Sequence, residues 1–187
     1  MRLILASKSK TRALILKSHG VEFSQIGIDF DEDSLEYSKP RDFVYYATKG
    51  KMETYLSKYD LEIPVLCADT VVCADDIILR KAKDVEDARK ILLRQSGNSV
   101  SILTCMIYKS YKMEFIDLNA TKYLFSPFDM GELDIYLKSD EWRGKAGACM
   151  VEGFCKKYIK EVIGLQSTAM GLGIEKLMPF LELNDVL

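Results

Sequence analysis

Histidine occurs once among the 187 residues, as His19, and that scarcity excludes more chemistry than any residue type present. A Ser-His-Asp triad or a multi-histidine zinc site has too few histidines to form. His19 precedes Gly20 and reads as a residue at the C-terminal end of a helix. Charge of one sign is also lacking: 26 Lys and Arg against 28 Asp and Glu leave −2, with no long-range pull on nucleic acid or an anionic membrane. No run approaches the ~18 apolar residues of a membrane span, and the apolar N-terminal stretch meets Lys8 and Lys10 too early for a signal peptide. A cytoplasmic protein without nucleic-acid or membrane partners is expected. Cys67, Cys73, Cys105, Cys149 and Cys155 form no C-x-x-C pair, and buried free thiols explain them better than disulfides or zinc.

What is present is the balance of a globular chain. Hydrophobic residues at 48% and charged residues at 29% exclude disorder, and the length suits one core. Residues 3–6 read as a buried strand, followed by a helix that stops near Gly20. Residues 21–30 read as a second strand. A long helix is expected over 40–59, capped by Ser38. Residues 64–68 read as a strand that delivers Asp69 and Thr70 at its end, before a hairpin over 71–79 that turns at Asp75-Asp76. Asp84 opens a helix that Gly97 ends, and residues 100–108 and 113–125 read as long strands. Ser126-Pro127 reads as a helix start, residues 154–163 as a strand, and 168–177 as a last helix before Pro179. Mixed helices and long strands imply an α/β sheet extended by antiparallel strands.

Five segments carry chemistry. Ser7-x-Ser9-x-x-Arg12 at a strand-to-helix junction places hydroxyls, cations and backbone N–H groups where a phosphate can bind, without the glycines of a Walker A loop. The acidic loop Asp29-Phe30-Asp31-Glu32-Asp33 fails as a calcium loop, because Ser34 and Pro40 stand where Gly and Glu are needed, but it can supply a Mg²⁺ ligand. Asp69 follows an apolar strand and is costly to bury unpaired, which places it at a sheet end facing a cleft. Arg80-Lys81-Ala82-Lys83 is a basic cluster before a helix. Gly144-Lys145-Ala146-Gly147 through Glu152-Gly153 is a glycine-rich loop with a lysine and a carboxylate. Each has a plain counterpart, a capping serine or a solvated turn, when taken alone.

Their order and spacing resemble the Maf, or septum-formation, family of nucleotide pyrophosphatases. Residues 5–12 match its LASxSPRR block and Ala68-Asp69-Thr70-Val71-Val72 its DTVV strand. Lys81 stands at the lysine of its GKP step, with Ala82 for the proline. Asp87-Ala88 through Ser96-Gly97 to Thr104 follows a further block, and residues 144–148 match DKAGA with Gly144 for the Asp. The resemblance implies one Maf-like domain over 1–187 with an ITPase-like fold: a long mixed β-sheet flanked by helices, two lobes and a central cleft, in a homodimer. It implies hydrolysis of a nucleoside triphosphate to the monophosphate and pyrophosphate with a divalent cation, Mg²⁺ or Mn²⁺. Asp69, Glu32 and Lys81 are the implied catalytic residues, with Asp69 as general base and Glu32 and Asp69 as metal ligands. Ser7, Ser9, Arg12 and Lys51 are the implied phosphate-binding residues, Lys51 being preferred to Lys49. Thr11, Thr70, Lys145 and Glu152 are the implied specificity residues. They point in two directions, toward dTTP or UTP and toward 7-methylguanosine triphosphate. The alternative is a nucleotide-binding regulator of cell division with little or no hydrolysis.

Overall fold

The computed structural model describes residues 3–183. Buried aliphatics make β1 (Leu3–Leu5), and Ser9 caps α1 (Lys10–Ser18) by accepting from the Arg12 N–H. The chain continues through β2 (Phe23–Gln25), α2 (Pro40–Leu56), β3 (Val65–Ala74), β4 (Ile77–Ile78) and α3 (Val85–Gln95). It ends through β5 (Ser99–Lys109), β6 (Glu114–Phe125), α4 (Met130–Lys138), β7 (Ile159–Ile163), α5 (Gln166–Ala169) and α6 (Ile174–Leu183). Among the described residues seven strands form one sheet in the order β2-β1-β3-β5-β6-β7, with β4 on β3. Strand β1 runs parallel to β2 and β3, and every other pairing is antiparallel.

The period-two alternation of β3 decides what lies on each face. Cys67, Val71 and Cys73 pack under Phe43, Val44 and Ala47 of α2. On the other face Leu66 and Ala68 join α1 and α6, while Ala74 joins a separate cluster with Leu92 of α3 and Leu133 of α4. This is the mixed sheet flanked by helices that the sequence implies. No helix among the described residues is long and apolar enough to cross a membrane.

One gap in the sheet organises the site. Strand β1 pairs with β3 only at Val65 and Leu66, and β4 pairs only at Cys73 and Ala74. Between them one edge of β3 has no strand beside it among the described residues, and this notch holds Asp69 and Thr70.

Several local expectations differ from the structure. Asp69 sits in the middle of a ten-residue strand and not at its end, because the missing neighbour opens the cleft at the edge. Strand β2 spans three residues and leaves the sheet after Gln25. Helix α2 starts from Lys39 without a side-chain cap, and Ser38 takes no part. Helix α4 starts three residues beyond Pro127, capped by Asp129, since Ser126 is taken up by Tyr158 O. Residues 154–158 form a 3-10 turn before β7, with Phe154 stacked on Tyr136 and edge-on to Phe128, and Tyr158 tilted against Phe128. The last helix is two helices parted at Gly171, and α6 runs through Pro179.

The cysteines are also a correction. Cys149 and Cys155 are joined in a disulfide, because the turn between them brings their Cα atoms to 6.7 Å. Cys67, Cys73 and Cys105 are free and buried as expected, and burial pushes the Cys67 thiol up to about 12 and Cys105 to about 11. The unfolded, unreduced chain is therefore expected to take up three alkyl groups from iodoacetamide and the reduced one five, counted by intact mass. A count of five without reduction rejects the pairing. Gly50 lies mid-helix in α2 because the Phe30 ring rests on it, so that a Cβ there would come within 2.3 Å of the ring. Gly50→Ala, worth about 1 kcal/mol in an open helix, is expected to destabilise by about 1–3 kcal/mol in denaturant melts.

Candidate active site

Phe30, seated on Gly50, carries the acidic loop onto α2 beside Lys51, and Asp31 caps the single turn that contains Glu32. Lys51, largely buried, donates from Nζ to Asp69 Oδ1 at 2.8 Å and to Glu32 Oε1 at 2.5 Å. Lys49, two residues earlier, points elsewhere and pairs loosely with Glu53 at 3.7 Å. Two more cations hold the same loop: Lys8 pairs with Asp29, and Arg80 pairs with Asp33 while lying over the Phe43 ring.

Burial drives the Asp69 carboxyl above its ordinary range, and the negative charge of Glu32 adds to that, while Lys51 and Arg12 pull it back. Its Oδ2 is buried and has no hydrogen-bond partner among the described residues. An orphaned carboxylate oxygen, with a second carboxylate on the same ammonium, fits a hard divalent cation that takes one or two carboxylates plus phosphate oxygens. No cluster of three or more His, Cys, Asp or Glu side chains forms a complete metal cage among the described residues.

The opposite face of β3 is built around Arg12. Its guanidinium is buried and donates to Gly171 O at 2.8 Å, Ser7 Oγ at 3.1 Å and Thr70 Oγ1 at 3.0 Å. Burial lowers its pKa, with Asp69 and Glu32 opposing that effect. Gly171 has φ +100, a conformation that L side chains rarely adopt, and its Cα faces Thr70 and Arg12 closely. Ser9 supplies the helix cap and Gln25 holds the carbonyls of Ser7 and Ser9. Arg12 is thus an internal clamp, with three of its five N–H groups already engaged.

Two clefts flank the notch. The first, of about 570 Å³, is lined by Glu32, Asp33, Thr70, Arg80, Lys81 and Lys83 among others. Lys81 is placed there by a bridge to Ala146, and Gly147 donates to the carbonyls of Leu79 and Arg80. The second, of about 390 Å³, is more apolar and has Thr11, Val72, Ile102, Met150 and Glu152 on its walls. Thr70 and Val72 line both. Lys145 is half-buried and lines neither cleft.

The structure thus gathers Asp69, Glu32 and Lys51 into one constellation and Ser7, Ser9, Arg12 and Thr70 into a second. Lys81 lies in the first cleft, and Thr11 and Glu152 in the other. Sequence reasoning missed Gln95, Thr168 and Gly171. Gln95 Nε2 donates to Gly147 O at 2.6 Å and anchors the glycine-rich loop. Its signal was a polar side chain on the apolar stripe of α3, in helical spacing with Ala88 and Leu92. Thr168 O and Gly171 O act through the backbone, which leaves no trace in side-chain pattern.

The family model described as Maf-like protein matches residues 2–183. A nucleoside triphosphate pyrophosphatase of Nitratiruptor sp. is 62% identical over 175 residues, covering 92% of this chain and 95% of the relative. A nucleoside triphosphate pyrophosphatase of Helicobacter pylori is 40% identical over 184 residues, covering 98% of this chain and 97% of that one. The Ham1 protein of Staphylococcus aureus shares the fold, with a TM-score of 0.54 at 13% identity over 98% of this chain and 100% of the other. With the DTVV strand at the notch, the serine–arginine corner beside it and a family match over nearly its whole length, the chain belongs to the Maf family.

Proposed function

We propose that this protein hydrolyses a nucleoside triphosphate to the monophosphate and pyrophosphate, as a single domain over 1–187 working as a homodimer in the cytoplasm. The observation that carries the reading is the Glu32–Lys51–Asp69 constellation, whose Glu32 lines a cation-lined cleft, in a chain 62% identical to a named nucleoside triphosphate pyrophosphatase.

The triphosphate lies in the first cleft, where Lys81, Lys83 and Arg80 meet its oxygens, while Lys51 of α2 holds Glu32 at its wall. Ser7 and Ser9 bring hydroxyls, and the first turn of α1 brings N–H groups. Asp69 is the base for the attacking water, acting through the carboxylate oxygen that a bound cation would leave free. The water oxygen forms a bond to the α-phosphorus, and the bond from that phosphorus to the bridging oxygen breaks. Pyrophosphate leaves with the electron pair, its charge met by the lysines. Glu32 and Asp69 are the side chains that would hold Mg²⁺ or Mn²⁺, and the cation supplies Lewis-acid stabilisation of phosphate charge.

The base occupies the apolar second cleft. Glu152 at its mouth suits the N1–H and N2–H donors of a guanine, which favours 7-methylguanosine triphosphate over dTTP or UTP. Thr11 shares that wall, whereas Lys145 lies outside both clefts.

Pyrophosphate release from a nucleotide panel with Mg²⁺ or Mn²⁺ tests the reaction. Asp69→Asn is expected to lower kcat by about 10²-fold or more at unchanged fold, by circular dichroism. Undiminished turnover removes Asp69 as base, and tight nucleotide binding without turnover by the wild type identifies a regulator instead. Lys51→Met is expected to raise KM and lower kcat together, since it releases both Glu32 and Asp69. Light scattering gives the oligomeric state, and a monomer mass rejects the dimer.

A further inference from the structure

The two hydroxyls that accept from Arg12 have opposite polarity toward a ligand. The guanidinium can only donate, and a carbonyl oxygen can only accept. Thr104 Oγ1 lies 2.7 Å from Thr168 O, so the single hydroxyl hydrogen of Thr104 is committed there. Its 2.9 Å contact with Thr70 Oγ1 must then be donated by Thr70. Thr70 also accepts from Arg12 Nη2, which leaves it one lone pair and no hydrogen. Ser7 is the reverse: its oxygen accepts from Arg12 Nη1 and from the Ser9 N–H, so its own hydrogen is left to give.

Thr70 is one of the two residues that line both clefts. A nucleotide with its triphosphate in one cleft and its base in the other places its sugar at that junction, because the sugar joins the two. We propose that Thr70 Oγ1 is an acceptor-only subsite for a sugar hydroxyl, and that Thr104 is the positioning residue which keeps it so. This rests on the nucleoside triphosphate reading above. A phosphate oxygen, itself an acceptor, is turned away at Thr70, so the junction of the two clefts suits a hydroxyl donor and not the triphosphate. Thr104 touches no ligand. It acts by occupying the Thr70 hydrogen, as part of a chain that ends on the Thr168 carbonyl of α5.

The test compares kcat/KM for a hydrolysed nucleoside triphosphate with that of its 2′-fluoro and 3′-fluoro analogues, in which the hydroxyl donor is replaced by a group that cannot donate. For the wild type, fluorine at one of the two positions is expected to lower kcat/KM about five- to ten-fold. In Thr104→Val the Thr70 hydrogen is free to turn into the cleft, and the discrimination is expected to shrink to within about two-fold. Thr104→Ser, which keeps the hydroxyl, is expected to restore it. A purely structural role for Thr104 would lower the melting temperature of Thr104→Val but leave the hydroxyl-to-fluorine ratio unmoved, and that result overturns the positioning claim. Equal kcat/KM for both analogues and the parent in the wild type overturns the subsite, and it stands as a test even if Thr104→Val does not fold. No turnover of any nucleotide overturns the pyrophosphatase reading itself, a result distinct from both.

Discussion

A strand interior to a sheet is normally paired on both edges, and here one edge of β3 is left open between the last residue of β1 and the first pair with β4. Everything in the site depends on that interruption. It lets a carboxylate sit in the middle of an apolar strand without being sealed beneath a neighbour. It also lets consecutive residues of one strand address one opening from opposite faces. The other edge of β3 is paired with β5 along all ten residues, so the open edge has a rigid floor. Functional groups on such a floor keep their geometry better than groups on a loop.

The two faces carry different charge arrangements. On the α2 side one ammonium holds two carboxylates, and the burial that raises Asp69 is only partly offset by Lys51. On the α1 side a buried guanidinium is satisfied by two hydroxyls and a carbonyl, with no carboxylate in direct contact. A buried charge needs partners, and here those partners are the groups that face the clefts. Satisfying the cation and arranging the site are one operation. The slight net charge of the chain agrees with this plan, since anion attraction is confined to the lysines and arginines around one opening.

Much of this was legible in the sequence, and the parts that were not have physical reasons. The long strands β5 and β6 and helices α2 and α3 follow from period and end signals. Asp69-Thr70 stood out because a carboxylate in an apolar run demands a partner. The place of that partner was not legible: Lys51 and Glu32 come from segments 18 and 37 residues away in the chain. The start of α4 was misplaced because Ser126-Pro127 and Asp129 offer two caps within four residues, and the bond of Ser126 to Tyr158 O, 32 residues on, decides between them. Helix α6 passes through Pro179 because Ile174, Leu177 and Leu181 bury one stripe, and that burial outweighs one lost backbone bond. The disulfide depends on a turn whose closure no spacing rule announces.

The bond from Arg12 to the Gly171 carbonyl spans 159 residues of chain. The bond therefore joins the first helix of the chain to the turn between its last two. The serine corner is built from both ends of the sequence at once, and a chain without its α5–α6 end lacks one of the three acceptors that satisfy the buried Arg12 guanidinium.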